Sequence, residues 1–203
     1  MHKAWLKLFA AIASGLILSS AFPPWNQGTM VWLFLGPLLA ALWLGTRGDE
    51  PVTGWWRRSA VWRRPFVLGW GAGVAHFMTS LTWVRHSSRV LHGAYGDEWM
   101  GWGVELLGWA AAVGLSLYCA IYFGVWAAFA DTVARPRREK LFSASVIESS
   151  LEALRCSGLV AAAWVVLEWM RGWVMTGFGW NGLGVALHEN KLLIQAADLV
   201  GVA

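Results

Sequence analysis

The stretch Trp164 to Gly184, WVVLEWMRGWVMTGFGWNGLG, most constrains what this chain can fold into. Glu168 and Arg171 stand in an apolar run that otherwise reads as a membrane helix, and a turn rich in Gly and Trp follows. An ionised side chain near the centre of a bilayer costs roughly 2.5–3.5 kcal/mol on insertion scales, so two in one helix need each other or a role. The i,i+3 spacing places both on one helix face, where they can neutralise each other. Two readings stay open. The pair is a structural bridge fixing one helix against its neighbours, or it shapes a polar pocket at the membrane surface.

The rest of the chain agrees with a membrane class. It is 57% hydrophobic and 14% charged, with 17 Trp in 203 residues, which excludes an ordinary soluble domain and a disordered chain alike. The net charge of +4 does not come with a nucleic-acid motif, and no nucleic-acid partner is expected. The charges fall between apolar segments, as in a protein that sets its membrane orientation with them. Cys119 lies in an apolar run and Cys156 in an expected polar connector, so no disulfide framework is implied. No His/Cys cluster has metal-ligand spacing, and neither metal nor cofactor is expected.

The apolar segments predict an all-α bundle of five complete spans at about 4–22, 29–44, 65–84, 101–130 and 158–174, with a partial sixth at 192–203. Lys3 and Lys7 before the first segment resemble the start of a signal peptide, but further spans follow at once and an uncleaved first helix is the preferred reading. Pro23-Pro24 stops span one. Gly36-Pro37 predicts a kink in span two, and Pro65 a first-turn position in span three. Gly69 and Gly73 permit close helix contact. His76 is expected to hydrogen-bond to a neighbouring helix, with Thr79, Ser80 and Thr82 as similar packing donors. Residues 85–100 and 131–157 are expected to be polar connectors, the second carrying a short amphipathic surface helix over Ser145 to Leu154.

Orientation follows from the basic residues. With the N-terminus in the cytoplasm, the inner segments hold Lys3, Lys7, Arg47, Arg57, Arg58, Arg63, Arg64, Arg135, Arg137, Arg138, Lys140 and Arg155. The outer segments hold only Arg85, Arg89 and Lys191. That bias places the Glu168/Arg171 end of span five on the outer face.

Three blocks of the sequence resemble the membrane part of apolipoprotein N-acyltransferases. They are Ser20 to Trp25 (SAFPPW), Gly69 to Val84 (GWGAGVAHFMTSLTWV), and Trp164 to Gly184. The last is the most specific. It matches a W-x-x-x-E-x-x-R-G-W-x-x-T-G-F-P-W pattern at Trp164, Glu168, Arg171, Gly172, Trp173, Thr176, Gly177, Phe178 and Trp180. It departs at Gly179, where proline is usual, which implies a looser turn. Tyr95 to Trp99 departs from a Gly-Gly-x-Pro turn.

The resemblance implies a two-step acyl transfer. A phospholipid acyl chain passes to a cysteine as a thioester, then to the α-amine of the diacylglyceryl-cysteine at a lipoprotein's N-terminus. It implies a bacterial inner-membrane location, with phospholipid and a diacylglyceryl lipoprotein as substrates. It also implies a Glu-Lys-Cys triad in a nitrilase-like domain of alternating strands and helices, for which residues 1–203 show no pattern. The expectation is therefore an N-terminal membrane region without a catalytic residue of its own, inactive alone. That domain would act in cis or in trans, and the chain would be a gene fragment, a pseudogene or half of a split enzyme. Neither cysteine fits the nucleophile: Cys119 is in apolar surroundings and Cys156 is on the inner side. Glu168, Arg171, Thr176, Phe178, Trp180 and Asn181 are the candidate pocket and lipid-contacting residues. The rival class is a non-catalytic lipid-binding scaffold or a small transporter subunit, with His76, Glu168 and Arg171 lining a pathway.

Overall fold

A computed structural model describes residues 2–44, 55–95, 98–143 and 145–195. Among them the chain is all helical, without a strand. The long elements are α1 (His2–Ser19), α2 (Leu35–Trp43), α3 (Trp55–Ser80), α4 (Thr82–Tyr95) and α5 (Glu98–Thr132). A short α6 (Arg138–Leu141) leads into α7 (Val146–Arg171), and α8 (Leu183–Ala186) and α9 (Lys191–Ile194) are single turns. Among the described residues two helices are long and apolar enough to cross a membrane: Trp102–Thr132, with a mean hydropathy of 1.7, and Val146–Arg171, at 1.5.

The centre of the bundle is the antiparallel pair α3 and α5. A Cβ on Gly69 would lie 2.4 Å from the Phe123 carbonyl oxygen, and one on Gly73 2.8 Å from the Ala120 Cα. Only hydrogen at these positions lets the two backbones approach so closely, so the expected small-residue contact forms. α1 runs parallel to α3, with Gly15 against Ala72 and Ser19 against His76. Here His76 bonds across helices as expected: its Nδ1 lies 3.2 Å from Ser19 Oγ, and Thr79 Oγ1 is 2.5 Å from the same hydroxyl. Phe34, Phe77, Phe123, Trp126 and Trp164 fill the core between α2, α3, α5 and α7. Edge-to-face aromatic pairs link Trp164 to Phe34, Phe123 and Trp126.

The helix limits differ from the apolar segments in consistent ways. α1 ends at Ser19, and the chain turns through Ser20 to Trp25 before the proline pair can act as the stop. Span two is a 3-10 turn over Gly28–Trp32 followed by α2. Its break therefore precedes Gly36-Pro37, and Pro37 falls in the first turn of α2, where its missing N–H costs little. Pro65 lies inside α3 rather than at its start, because the helix extends back to Trp55. Span three, expected to run to Val84, stops at Ser80, and residues 85–95, expected as connector, belong to α4. Its polar side chains are used against α5: the Arg85 guanidinium stacks on Trp109 at 4.6 Å, and Arg89 pairs with Glu105 at 3.3 Å. α7 begins twelve residues before the expected span and ends three residues sooner. It absorbs the expected surface helix, with the Ser145 hydroxyl capping it by accepting the Glu148 N–H. Cys156 is accordingly buried in a helix and not in a connector. Of the partial sixth segment only α9 falls in the described residues, and Arg47, Asp49, Glu50 and Asp97 lie outside them.

The two ends of the bundle carry different chemistry. The register of α1, α3 and α5 brings Lys7, Arg63 and Arg64 to the end where α5 runs out into Arg137, Arg138 and Lys140. Arg135 Nη2 donates to the Leu42 carbonyl, and Arg138 Nη2 to the Trp43 carbonyl, so both close the C-terminus of α2. Arg155 does the same for α5, donating to the carbonyls of Val133 and Arg135. The opposite end holds exposed Trp25, Trp83, Trp173 and Trp180.

Candidate functional site

The site is built where α7 stops, at that second end. After Arg171 the chain enters a 3-10 turn, Val174–Thr176, in which Met175 has φ 51°. Gly177 follows at φ 77°, and a Cβ there would lie 2.1 Å from the Gly172 carbonyl oxygen, so this position admits only glycine. The Phe178 N–H then donates to the Arg171 carbonyl at 2.7 Å and closes the turn. Thr176 supplies the last residue of the 3-10 turn.

Arg171 organises this turn. It is buried, and its Nη1 donates to the carbonyls of Phe178 and Trp180, each at 2.7 Å. Nη2 reaches Glu168 Oε1 at 3.5 Å. Glu168 Oε1 also accepts the Leu183 N–H at 3.0 Å, at the start of α8. The ion pair expected from the i,i+3 spacing is thus present, and both members hold backbone groups of the segment that follows. An irregular backbone is stable away from water only when such partners satisfy it. The Arg171 guanidinium also sits 5.5 Å from the Phe77 ring centroid.

Asn181 adopts φ 59° and its Nδ2 donates to Ser80 Oγ at 2.8 Å, tying the turn to the end of α3. The Tyr118 hydroxyl donates to the Val174 carbonyl at 2.9 Å, tying it to α5. Trp180 is 61% exposed, its ring 5.1 Å from that of Trp83, as suits an aromatic anchor at an interface. Phe178 packs on the core. Gly179 has no positive φ, and a Cβ there would meet only Gly172 Cα, at 4.0 Å. A side chain is therefore sterically allowed where the family pattern has proline.

Behind the turn lies a small, partly open cavity of about 20 Å³. Its walls are apolar (Leu18, Phe77, Phe123, Trp126, Trp164, Leu167), and Tyr122, Glu168, Arg171 and Asn181 supply its polar groups. Glu168 and Arg171 thus bridge to the turn and are also among the residues that line this cavity. Phe178 and Trp180 are not among the lining residues. Sequence reasoning missed Tyr118 and Leu183 as partners of the turn. A tyrosine in an apolar run and a backbone N–H carry no local signal of that role.

Cys119 lies beside the Arg171 guanidinium, whereas Cys156 is remote from this turn. Cys119 is fully buried in α5. Cys156 lies fifteen residues before Arg171 on one helix, about 22 Å along its axis. Its Sγ is 3.7 Å from Glu152 Oε1, a carboxylate already engaged by Arg155 at 2.6 Å and by the Arg137 N–H at 2.8 Å. Among the described residues no group of three His, Cys, Asp or Glu side chains is placed to hold a metal ion.

The turn and its two charged residues coincide with the most specific block of the sequence, and comparison with known proteins agrees. Residues 14–203 match the family model described as the apolipoprotein N-acyltransferase N-terminal domain. The chain belongs to this family. It is 29% identical over 200 residues to an apolipoprotein N-acyltransferase of Allorhizobium ampelinum, covering 98% of this chain and 32% of that protein. It is 24% identical over 204 residues to the protein of that name from Rhodopseudomonas palustris, and 27% over 192 residues to one from Geobacter metallireducens. The chain spans about a third of the length of these relatives.

Proposed function

We propose that residues 1–203 form a membrane platform of an apolipoprotein N-acyltransferase, with the Glu168/Arg171 turn on the outer face of the bacterial inner membrane. In this reading the platform presents lipid to a nitrilase-like domain carrying the Glu-Lys-Cys triad, in cis or in trans. That domain moves an acyl chain from phospholipid to the N-terminal amine of diacylglyceryl-cysteine. The observation that carries the reading is the bridged turn, Arg171 to Phe178 and Trp180 and Glu168 to Leu183, built from the residues of the family pattern. The small cavity behind it has mostly apolar walls, with Tyr122, Glu168, Arg171 and Asn181 as its polar groups. Glu168 and Arg171 are positioning residues here, and Trp180 anchors the turn in the headgroup layer.

The topology belongs to the same proposal. The five spans are α1, the 3-10 turn Gly28–Trp32 together with α2, α3, α5 and α7, with the N-terminus in the cytoplasm. The segregation of Lys7, Arg63, Arg64, Arg137, Arg138 and Lys140 at one end supports that orientation.

The test is reconstitution. The chain would be co-expressed with a separate nitrilase-like domain in cells lacking their own acyltransferase, and lipoprotein N-termini read by mass spectrometry. The expected result is N-acylation with both chains and none with either alone. Absence of acylation with both, together with substrate flux in vesicles holding this chain alone, would replace the proposal by the transporter reading.

A further inference from the structure

The end of the bundle opposite the site carries a second surface. Past the end of α5 a set of ion pairs and hydrogen bonds ties the chain to α2 and α7. Arg135 and Arg155 spend their guanidinium groups on Asp131, Glu152 and the carbonyls of Leu42, Val133 and Arg135. Arg137 enters this lattice through its backbone N–H, leaving its guanidinium exposed. Arg138 and Lys140 are exposed beside it.

Immediately next to these cations stands an uncovered apolar strip. Phe142 is 79% exposed, Val146 77%, Ile147 72% and Leu151 62%. Val146, Ile147 and Leu151 share one side of the first turns of α7, and the buried Glu152 and Cys156 lie on the other. α7 is 26 residues long, about 39 Å, against a hydrocarbon core of about 30 Å. Its first two turns therefore reach the headgroup boundary when its Arg171 end lies near the far one. Apolar side chains at that depth with cations beside them match a leaflet of anionic lipid: tails against the strip, phosphates against the cations.

We infer that α6 and the first turns of α7 form a foot that binds anionic phospholipid headgroups of the leaflet opposite the acyl-transfer site. Arg137, Arg138 and Lys140 face the phosphates, and Phe142 and Ile147 insert among the upper acyl chains. Glu139 and Glu148 are the acidic groups on the same segment. Glu148 is engaged by the Ser143 hydroxyl at 2.8 Å. Lys7, Arg63 and Arg64 at the same end add to the positive field. The inference rests on the membrane placement proposed above, and is independent of catalysis.

Thermal unfolding of the purified full chain in neutral detergent, titrated with phosphatidylglycerol, tests it. Phosphatidylglycerol should raise Tm saturably, while phosphatidylcholine and inorganic phosphate should not. Arg137→Gln with Lys140→Gln leaves the Arg138 bond to α2 intact. Each basic residue near an anionic surface contributes about 1 kcal/mol, or about fivefold, so this double variant should need roughly 25-fold more phosphatidylglycerol for half the shift. Equal stabilisation by phosphatidylcholine, or an unchanged titration in the double variant, overturns the foot. A full shift with inorganic phosphate alone would make it a soluble-anion site and overturn the lipid assignment. Recovery of the chain in the soluble fraction of the cell would instead sink the membrane placement, which the detergent titration does not read.

Discussion

Arg171 and Trp180 are nine residues apart in sequence, and the guanidinium of the first donates to the carbonyl of the second at 2.7 Å. The bond brings the chain leaving α7 back against the helix end. With the Glu168 carboxylate on the Leu183 N–H, it turns two largely buried charges into supports for an otherwise unpaired backbone.

Arg171→Ala removes three hydrogen bonds and leaves Glu168 buried without its cation. Breaking a buried pair in this way costs about 3–5 kcal/mol. The variant should give a lower folded yield and a lower Tm in detergent. Arg171→Lys keeps the charge but not the two-carbonyl fork, and should fall between. A Tm within one degree of wild type for Arg171→Ala would remove the guanidinium from the fold's supports.

The α3–α5 contact predicts a contrast between glycines. Gly73→Val pushes side-chain carbon into the space held by Ala120 and Phe123, an overpacking that costs about 1–3 kcal/mol. Gly36 has nothing within 4 Å of an added Cβ, so Gly36→Ala should leave stability unchanged or slightly raised. Thermal unfolding of the two variants side by side reads the difference.

Within the turn the same contrast separates neighbours. Gly177→Ala meets the Gly172 carbonyl and a positive φ, whereas Gly179→Ala meets neither. Limited proteolysis after Trp173 should accelerate strongly for the first variant and stay near wild type for the second. Equal cleavage rates would contradict the turn geometry.

Asn181 and Ser80 should couple. A double-mutant cycle of Asn181→Ala and Ser80→Ala, read by unfolding, should give an interaction of about 0.5–1.5 kcal/mol for one hydrogen bond between partly buried groups. Additive effects would mean that the turn docks on α3 without this bond.

Both cysteines should be silent toward a bulky, membrane-impermeant maleimide in the folded chain, since Cys119 is 0% and Cys156 5% exposed. Denaturation in detergent should release two reactive thiols. Rapid labelling of Cys156 in the folded state would contradict the packing of α7 against the α5–α6 elbow.

Much of this was legible in the residues. The Glu168/Arg171 pair follows from i,i+3 spacing, a close helix contact from Gly69 and Gly73 (though not that its partner is α5), and the His76 bond from a polar ring in an apolar run. The limits of α3, α4 and α7 were not. Hydropathy marks the apolar part of a helix, whereas the backbone keeps winding wherever neighbours use its polar face. Arg85 and Arg89 look like connector residues until Trp109 and Glu105 are placed across from them.

The sequence by itself determined the class and the family: apolar segments that need helices, charges sorted between them, and a pattern of Trp, Glu, Arg and Gly at fixed spacing. Local spacing suffices there, because residues three or four apart on a helix meet whatever surrounds them. Only the tertiary structure decided what the pair holds. The partners of Glu168 and Arg171 are backbone groups of Leu183, Phe178 and Trp180, and those of the turn are Ser80 and Tyr118, up to 101 positions away. A carbonyl is the same at every residue, so its choice of donor is written in the packing and not in the sequence.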